Sequence, residues 1–352
     1  MQLCLPPLRL GSIELDFPVV QAALSGYSDW AMRVMARRMG APYTLCEVLL
    51  DQFVVQVTRG RKADRYLRVT DEEHPVGAQL MGANPDDFAP AAQRLVEAGF
   101  DVIDINFGCP VKKVLGRCRG GFLLSTPDVA LEIVARVREA VPSHVPVTVK
   151  MRRGIDDSVA SRDNFFTIFD GAFERGVAAI TVHGRTVEQR YVGPSRWSFL
   201  REVKRHAGSR VVLGSGDLFT PQACLDMLAE TGVDGVTAAR GAIGNPWIFG
   251  HARTLAAGKP LPPPPTIREQ RAVIAEHYTL AENLYGPQHC GRIMRKFGIK
   301  YSQWHPQGIT LRDAFVRVNN TDEWRQVLDT WYAEDGLGAW PVLEQDETVE
   351  CG

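Results

Sequence analysis

Short apolar runs rich in β-branched residues recur through the first two thirds of the chain, at 17–24, 43–48, 76–80, 102–105, 145–150, 178–183, 210–213 and 235–239. Between them lie stretches with apolar residues at helical spacing, among them 85–98, 127–140, 162–175 and 221–231. A strand pattern of period two that alternates with a helix pattern of period 3.6 predicts parallel strands joined by right-handed crossovers. Eight such units are the number that closes a barrel, so residues 12 to about 250 are expected to form a (β/α)8 barrel. A doubly wound open sheet is the competing architecture, but no G-x-G-x-x-G follows the first strand, where that fold usually carries it. A proline-rich stretch at 259–266 marks a boundary, and helical spacing resumes at 268–285 and again at 292–304. The resulting division is a barrel over 1–255, a linker over 256–266, a small helical domain over 267–335 and an acidic tail over 336–352, expected to be frayed.

The strand ends are polar. In barrels of this kind active sites gather at the C-terminal rim, and there the sequence supplies Glu47, Gln79, Asn106 with Cys109, Lys150, His183, the run Gly214-Ser215-Gly216-Asp217, and Ala239-Arg240-Gly241. Cys109 stands out, because Gly108 and Pro110 break the chain on either side of it and Lys112, Lys113, Arg117 and Arg119 follow. An unperturbed thiol has a pKa of about 8.5, so at neutral pH it holds a proton that it can donate. The glycines after strands seven and eight let backbone N–H groups approach an anion. A helix N-terminus after strand eight and the Arg240 guanidinium favour negative charge there, which suits a phosphate. A ligand with a phosphate tail, such as flavin mononucleotide (FMN), is therefore expected. Lys150 would then face the flavin ring, where an ammonium stabilises the charge of the reduced form.

Composition narrows the class. A net charge of −1 over 352 residues, with 45% hydrophobic and 23% charged residues, is that of an ordinary globular protein. Any nucleic-acid surface must therefore be local. The seven cysteines are scattered without a C-x-x-C pair, so neither a disulfide framework nor a metal site is expected, and a reducing cytoplasm fits best. No run approaches the ~20 apolar residues of a membrane span. A local basic surface does exist: residues 283–311 lack Asp and Glu but carry Arg292, Arg295, Lys296 and Lys300, with Ile293, Phe297, Tyr301 and Trp304 on another helix face. With Lys112, Lys113, Arg117, Arg119, Arg185 and Arg190 near the barrel mouth, this pattern points to RNA.

The motifs Asp104-Ile-Asn-Phe-Gly-Cys-Pro-Val-Lys-Lys-Val114, Thr148-Val-Lys-Met-Arg152, Thr181-Val-His-Gly-Arg-Thr186, Arg240-Gly-Ala242 and Asn245-Pro-Trp-Ile-Phe249 occur in this order. Together they resemble the tRNA-dihydrouridine synthase family, most closely its bacterial B-type branch, from about residue 15 to about 305. The resemblance implies an FMN-dependent enzyme that uses NADPH or NADH to reduce uridines in tRNA to 5,6-dihydrouridine. Hydride would pass from reduced FMN to C6 of the base, and Cys109 would protonate C5. It implies Asn106 as a holder of the target base and Arg185 beside the RNA path, while the basic pattern itself offers Lys112, Arg292, Arg295 and Lys296 as RNA contacts. Ala23, Leu24 and Ser25 would offer backbone contacts to the flavin ring, which Gln79 and Lys150 would also touch. His183 would lie near the flavin, with Ser215, Gly216, Asp217, Ala239 and Arg240 at its phosphate end. A cytoplasmic monomer is expected. The chain departs from the family pattern at Gln21-Ala-Ala-Leu-Ser-Gly26, at Ser215 and at Ala239, changes that contacts made through the backbone can survive. Two alternatives remain at this level: a flavin barrel oxidoreductase acting on a small pyrimidine such as dihydroorotate, and an RNA-binding barrel without flavin.

Overall fold

The structure is a computed structural model that describes residues 5–57 and 60–342. A short antiparallel hairpin, β1 (Leu8–Leu10) and β2 (Ile13–Leu15), precedes the barrel. The barrel strands are β3 (Val19–Gln21), β4 (Thr44–Leu50), β5 (Val76–Met81), β6 (Val102–Phe107), β7 (Val147–Arg152), β8 (Ala179–His183), β9 (Val212–Ser215) and β10 (Gly235–Ala238). All eight pair in parallel and β10 closes onto β3, the (β/α)8 barrel that the alternating pattern predicts. The hairpin stoppers one end: Leu8, Leu10 and Leu15 pack with the barrel-lining Val20, Tyr43, Leu45, Val102, Ala179 and Leu213. Gly235 leaves room for it, since a Cβ there would lie 2.8 Å from Leu8.

Element ends shift for local reasons. The first barrel strand is shorter than the apolar run 17–24, because Tyr27 and Ser28 both donate to the Leu24 carbonyl and turn the chain toward Asp29. The Asp29 side chain accepts from Met32 N–H and so caps the helix Trp30–Arg38. Ser158 caps the helix Val159–Glu174 in the same way, so it starts ahead of 162. Strand β7 runs on to Arg152, which sits opposite His183 in the β7–β8 register.

After the barrel helix Ile248–Ala256 and the proline-rich stretch come helices Ile267–Tyr285, Pro287–Tyr301, Gly308–Val316 and Thr321–Trp331. The second begins five residues before Arg292, because Gly286 and Pro287 start it. The last two go beyond the helical spacing read in the sequence. Thr266 and Glu269 form a reciprocal capping box at the first. These helices pack directly on the barrel. Trp304 Nε1 donates to the Gly244 carbonyl (2.9 Å), and Gly244, at φ +64°, approaches Lys300 so closely that a Cβ would lie 2.6 Å from its backbone. Residues 336–340 are docked rather than frayed. Gly336 O accepts from Ile267 N (3.0 Å), Ala339 N donates to Trp304 O (2.7 Å), and the Trp340 ring lies against Trp304 and His251. Apolar and backbone contacts hold this stretch, which itself carries no Asp or Glu. The remainder of the acidic tail, 343–352, lies outside the described residues.

Candidate active site

Cys109 is half-buried just beyond β6, and its position is set by side chains on neighbouring strands. Asn106 Oδ1 accepts from the N–H groups of both Gly108 (2.9 Å) and Cys109 (3.0 Å). Asn106 Nδ2 donates to Gln79 Oε1 (2.7 Å), Gln79 Nε2 to Asp104 Oδ2 (2.6 Å), and Thr148 Oγ to Asp104 Oδ1 (2.5 Å). Register explains the chain, for Gln79 faces Asp104 and Asp104 faces Thr148 across β5, β6 and β7. Burial raises the Asp104 carboxyl above its usual range, while the two hydrogen bonds and the Lys150 charge oppose that rise. These bonds occupy both lone pairs of the Asn106 oxygen and one amide proton each of Asn106 and Gln79. Both residues thus brace the thiol loop.

The loop is braced from the other side as well. Arg152 Nε donates to Gly108 O (2.9 Å), and its Nη1 donates to Thr186 O and Arg190 O (both 2.7 Å). Gly121 N donates to Cys109 O (3.1 Å), and Gly120, at φ +59°, comes so near that a Cβ would lie 2.8 Å from Cys109 Cβ. From this clasp the short helix Lys112–Leu115 carries Lys112 and Lys113 exposed to solvent, followed by exposed Arg117. Arg119 is only half-exposed and turns toward Gln52.

Inside the mouth the charge is positive. Lys150 is partly exposed on the barrel axis yet enclosed by protein. Loss of water lowers its ammonium to about 8, Arg152 pushes the same way, and Asp104 and Cys109 oppose. Arg152 is brought down to about 10, chiefly by burial, although Tyr191 and Cys109 act to raise it. Cys109 therefore lies within electrostatic reach of both cations. His183 is held well below its usual value, first by burial and then by Arg152, Lys150, Arg185 and Arg240. Its Nδ1 accepts from Arg185 N–H (3.2 Å), which leaves the proton of the neutral ring on Nε2. Arg152 is a site residue that the reading by strand ends passes over. The signal was present, since it lies two positions after Lys150 on one strand and so shares its face.

The corner after β9 and β10 is built on close approach. Gly216, at φ +119°, faces Ser195, and a Cβ there would lie 2.3 Å from the Ser195 hydroxyl. Asp217 takes a left-handed backbone (φ +60°), and its carboxylate is spoken for by Arg185 at 2.8 and 2.9 Å and by Ser195 N–H at 2.7 Å. Its side chain is thus an anchor for Arg185, and only its backbone can serve a phosphate. Arg185, also bound to the Gly193 carbonyl, is 4% exposed, so it braces the two loops and does not lie open on an RNA path. Ser215 is buried with its carbonyl accepting from Ser195 Oγ (3.3 Å). After Ala239 the chain makes a three-residue 3-10 turn, Arg240–Ala242, and not the helix expected there. Gly241 permits it, because a Cβ would meet Leu218 O at 2.0 Å. Negative charge in this corner meets Arg240, which stacks near Tyr191 and Phe219 (4.8 and 5.0 Å) and lies 3.8 Å from Asp217. With Lys150, Arg152, Arg185 and Arg240 against the carboxyls of Asp104 and Asp217, the mouth carries an excess of cations. That excess fits an anionic phosphate and an electron-rich ring.

The loop after β3 holds Ala23 half-exposed and Ser25 exposed, but Leu24 is buried and its N–H donates to Ser28 Oγ (2.8 Å). The Leu24 N–H is thereby committed within the turn. In the helical domain Arg292 is exposed, and Arg295 reaches Val318 O and Asn319 at 3.4 Å. Lys296 instead donates to the Gly26 carbonyl and covers the Tyr27 and Phe297 rings, so its ammonium is committed to the barrel.

The pattern of the dihydrouridine synthase (Dus) family matches residues 20–335. A probable tRNA-dihydrouridine synthase of Mycobacterium tuberculosis is 34% identical over 333 residues, 92% of this chain and 84% of that one. The tRNA-dihydrouridine synthase B of Pseudomonas aeruginosa is 33% identical over 93% of this chain and 96% of its own length. Among solved structures, an old yellow enzyme homologue from Zymomonas mobilis shares the fold at TM-score 0.54 and 15% identity, covering 74% of this chain and 94% of that one. A match across almost the whole barrel and the helices beyond it, with full-length relatives a third identical, makes this chain a member of the dihydrouridine synthase family.

Proposed function

We propose that the chain is an FMN-dependent enzyme that reduces particular tRNA uridines to 5,6-dihydrouridine, with NADPH or NADH as reductant. The observation that carries this reading is the thiol of Cys109, held on a braced loop within electrostatic reach of Lys150 and Arg152 at the barrel mouth. Lys150 would hold the ring, and Arg240 with the backbone of Gly216 and Asp217 the phosphate. The flavin, when bound, supplies the hydride for C6 of the uracil ring. Cys109 holds the proton that C5 receives, and the network through Asn106, Gln79 and Asp104 fixes the thiol's height above the pocket floor. Neutral His183 offers an Nε2–H donor in the same pocket. A uridine stacked within the tRNA fold hides C5 and C6, so the base must be extruded to enter. The exposed Lys112, Lys113, Arg117 and Arg292 would receive tRNA phosphates. The barrel, 1–255, would be the catalytic unit and 267–335 the RNA-holding one, in a cytoplasmic monomer.

The test is nucleoside analysis, mapped by position, of tRNA from cells lacking the protein. Rescue by the wild type restores dihydrouridine, whereas Cys109→Ala keeps flavin and restores none. Full rescue by that variant would remove Cys109 from the chemistry.

A further inference from the structure

The turn that follows β3 is held from outside the barrel. Gly26 sits at φ +75°, with its N–H donating to Glu47 Oε1 on β4 (2.5 Å) and its carbonyl accepting from Lys296 Nζ of the helix Pro287–Tyr301. Beside it, Tyr27 meets Phe297 edge-on (centroids 5.5 Å), and the Lys296 ammonium lies 4.9 Å from the Tyr27 ring. A second C-terminal helix, Ile267–Tyr285, adds the Tyr285 hydroxyl, which donates to Asp29 Oδ2 (2.7 Å). Asp29 in turn caps the helix that the turn leads into. Four charges meet here, Glu47 and Asp29 against Lys296 and Arg65, with Arg65 over the Tyr285 ring at 5.4 Å. Burial pushes the Glu47 carboxyl up and the Lys296 ammonium down, while each draws the other back toward its charged form.

We propose that Lys296 is a positioning residue for the flavin: reaching from the C-terminal helices, it fixes the Gly26 turn and with it the Ala23–Ser25 edge. The helical unit thereby helps build the cofactor site in addition to offering a surface to tRNA. This rests on the flavin-dependent reading above. The carbonyl of Gly26 is one residue past Ser25, so losing its donor frees the segment that carries Ala23 and Ser25. Lys296 thus carries an ammonium of the basic stretch 292–300 onto the barrel backbone.

The experiment uses full-length protein, K296M, K296R, Y285F and, as a contrast, R292A. Three quantities are measured: FMN affinity of deflavinated protein by fluorescence quenching, hydrogen exchange of the peptide 22–29, and tRNA affinity across a salt series. K296M is expected to weaken FMN binding about tenfold and to speed exchange in 22–29, with the slope of tRNA affinity against salt unchanged. K296R should hold both near wild type, and Y285F should move both in the same direction by less, which keeps the proposal testable should K296M fold poorly. R292A should move the salt slope alone. The proposal is overturned if K296M flattens the salt slope while FMN affinity and exchange stay put, or if none of the three moves. A wild type that takes up no flavin would instead bring down the reduction proposed above. The 22–29 exchange separates that failure from failure of the latch.

Discussion

The barrel mouth and the rim loop beside it are both rich in cations, but the two regions use them differently. In the mouth, Arg152 and Arg185 are buried, with their guanidinium groups tied to loop carbonyls or to Asp217. On the rim, Lys112, Lys113 and Arg117 stand exposed on a four-residue helix and the turn after it. A buried arginine that satisfies several acceptors fixes loop geometry, because removing it breaks several hydrogen bonds at once. An exposed lysine fixes nothing, and its charge remains available to a polyanion.

Substitutions can break that contrast or sharpen it. The largest effect belongs to the group between the two regions: Cys109→Ala should cut dihydrouridine formation by about 10³-fold, as measured in single turnovers with prereduced enzyme, and leave flavin content intact. Next, Arg185→Met leaves Asp217 and the Gly193 carbonyl without their partner. Because water reaches both of those acceptors, the substitution should cost about 1–2 kcal/mol of stability, read as a lowered denaturant midpoint, and leave the salt dependence of tRNA binding alone. An unchanged midpoint with a flatter salt dependence would mean that Arg185 belongs with the rim cations after all. Lys150→Met should lower the flavin potential by about 30 mV, the equivalent of 1.4 kcal/mol. Because the Lys150 ammonium is held at about 8, the wild-type potential should also fall more steeply with pH above that value, where the stabilising charge is lost, and the variant should lack this extra slope. The smallest change is expected on the rim. Lys112→Gln with Lys113→Gln should weaken tRNA binding a few-fold at physiological salt, reduce the salt slope by roughly 1.5, and leave thermal stability unmoved.

The barrel was legible in the sequence because each strand is a short apolar run and each crossover has helical period, signals that lie within one element. The end of β6 could be read for the same reason, with Asn106 and Cys109 flanked by breakers. What could not be read depends on pairing between elements. That Asn106 and Gln79 turn toward one another follows from the β5–β6 register, and that Arg185 folds onto Asp217 joins residues 32 positions apart. Lys296 is the clearest case. Its spacing placed it correctly on a basic helix, yet the partner that decides its work, Gly26, is 270 residues away. The docking of 336–340 escaped likewise, since the acids that gave the tail its character all come after it, and composition carries no trace of Trp340 settling beside Trp304.

The leucines of the opening hairpin, Leu8, Leu10 and Leu15, each at most 2% exposed, leave the cylinder with a single doorway. Under the proposed chemistry, a nicotinamide and a flipped nucleoside would have to call at that doorway by turns. Each visitor must depart before the other arrives, so initial rates should trace parallel lines in double-reciprocal plots, and either visitor in excess should hinder the other.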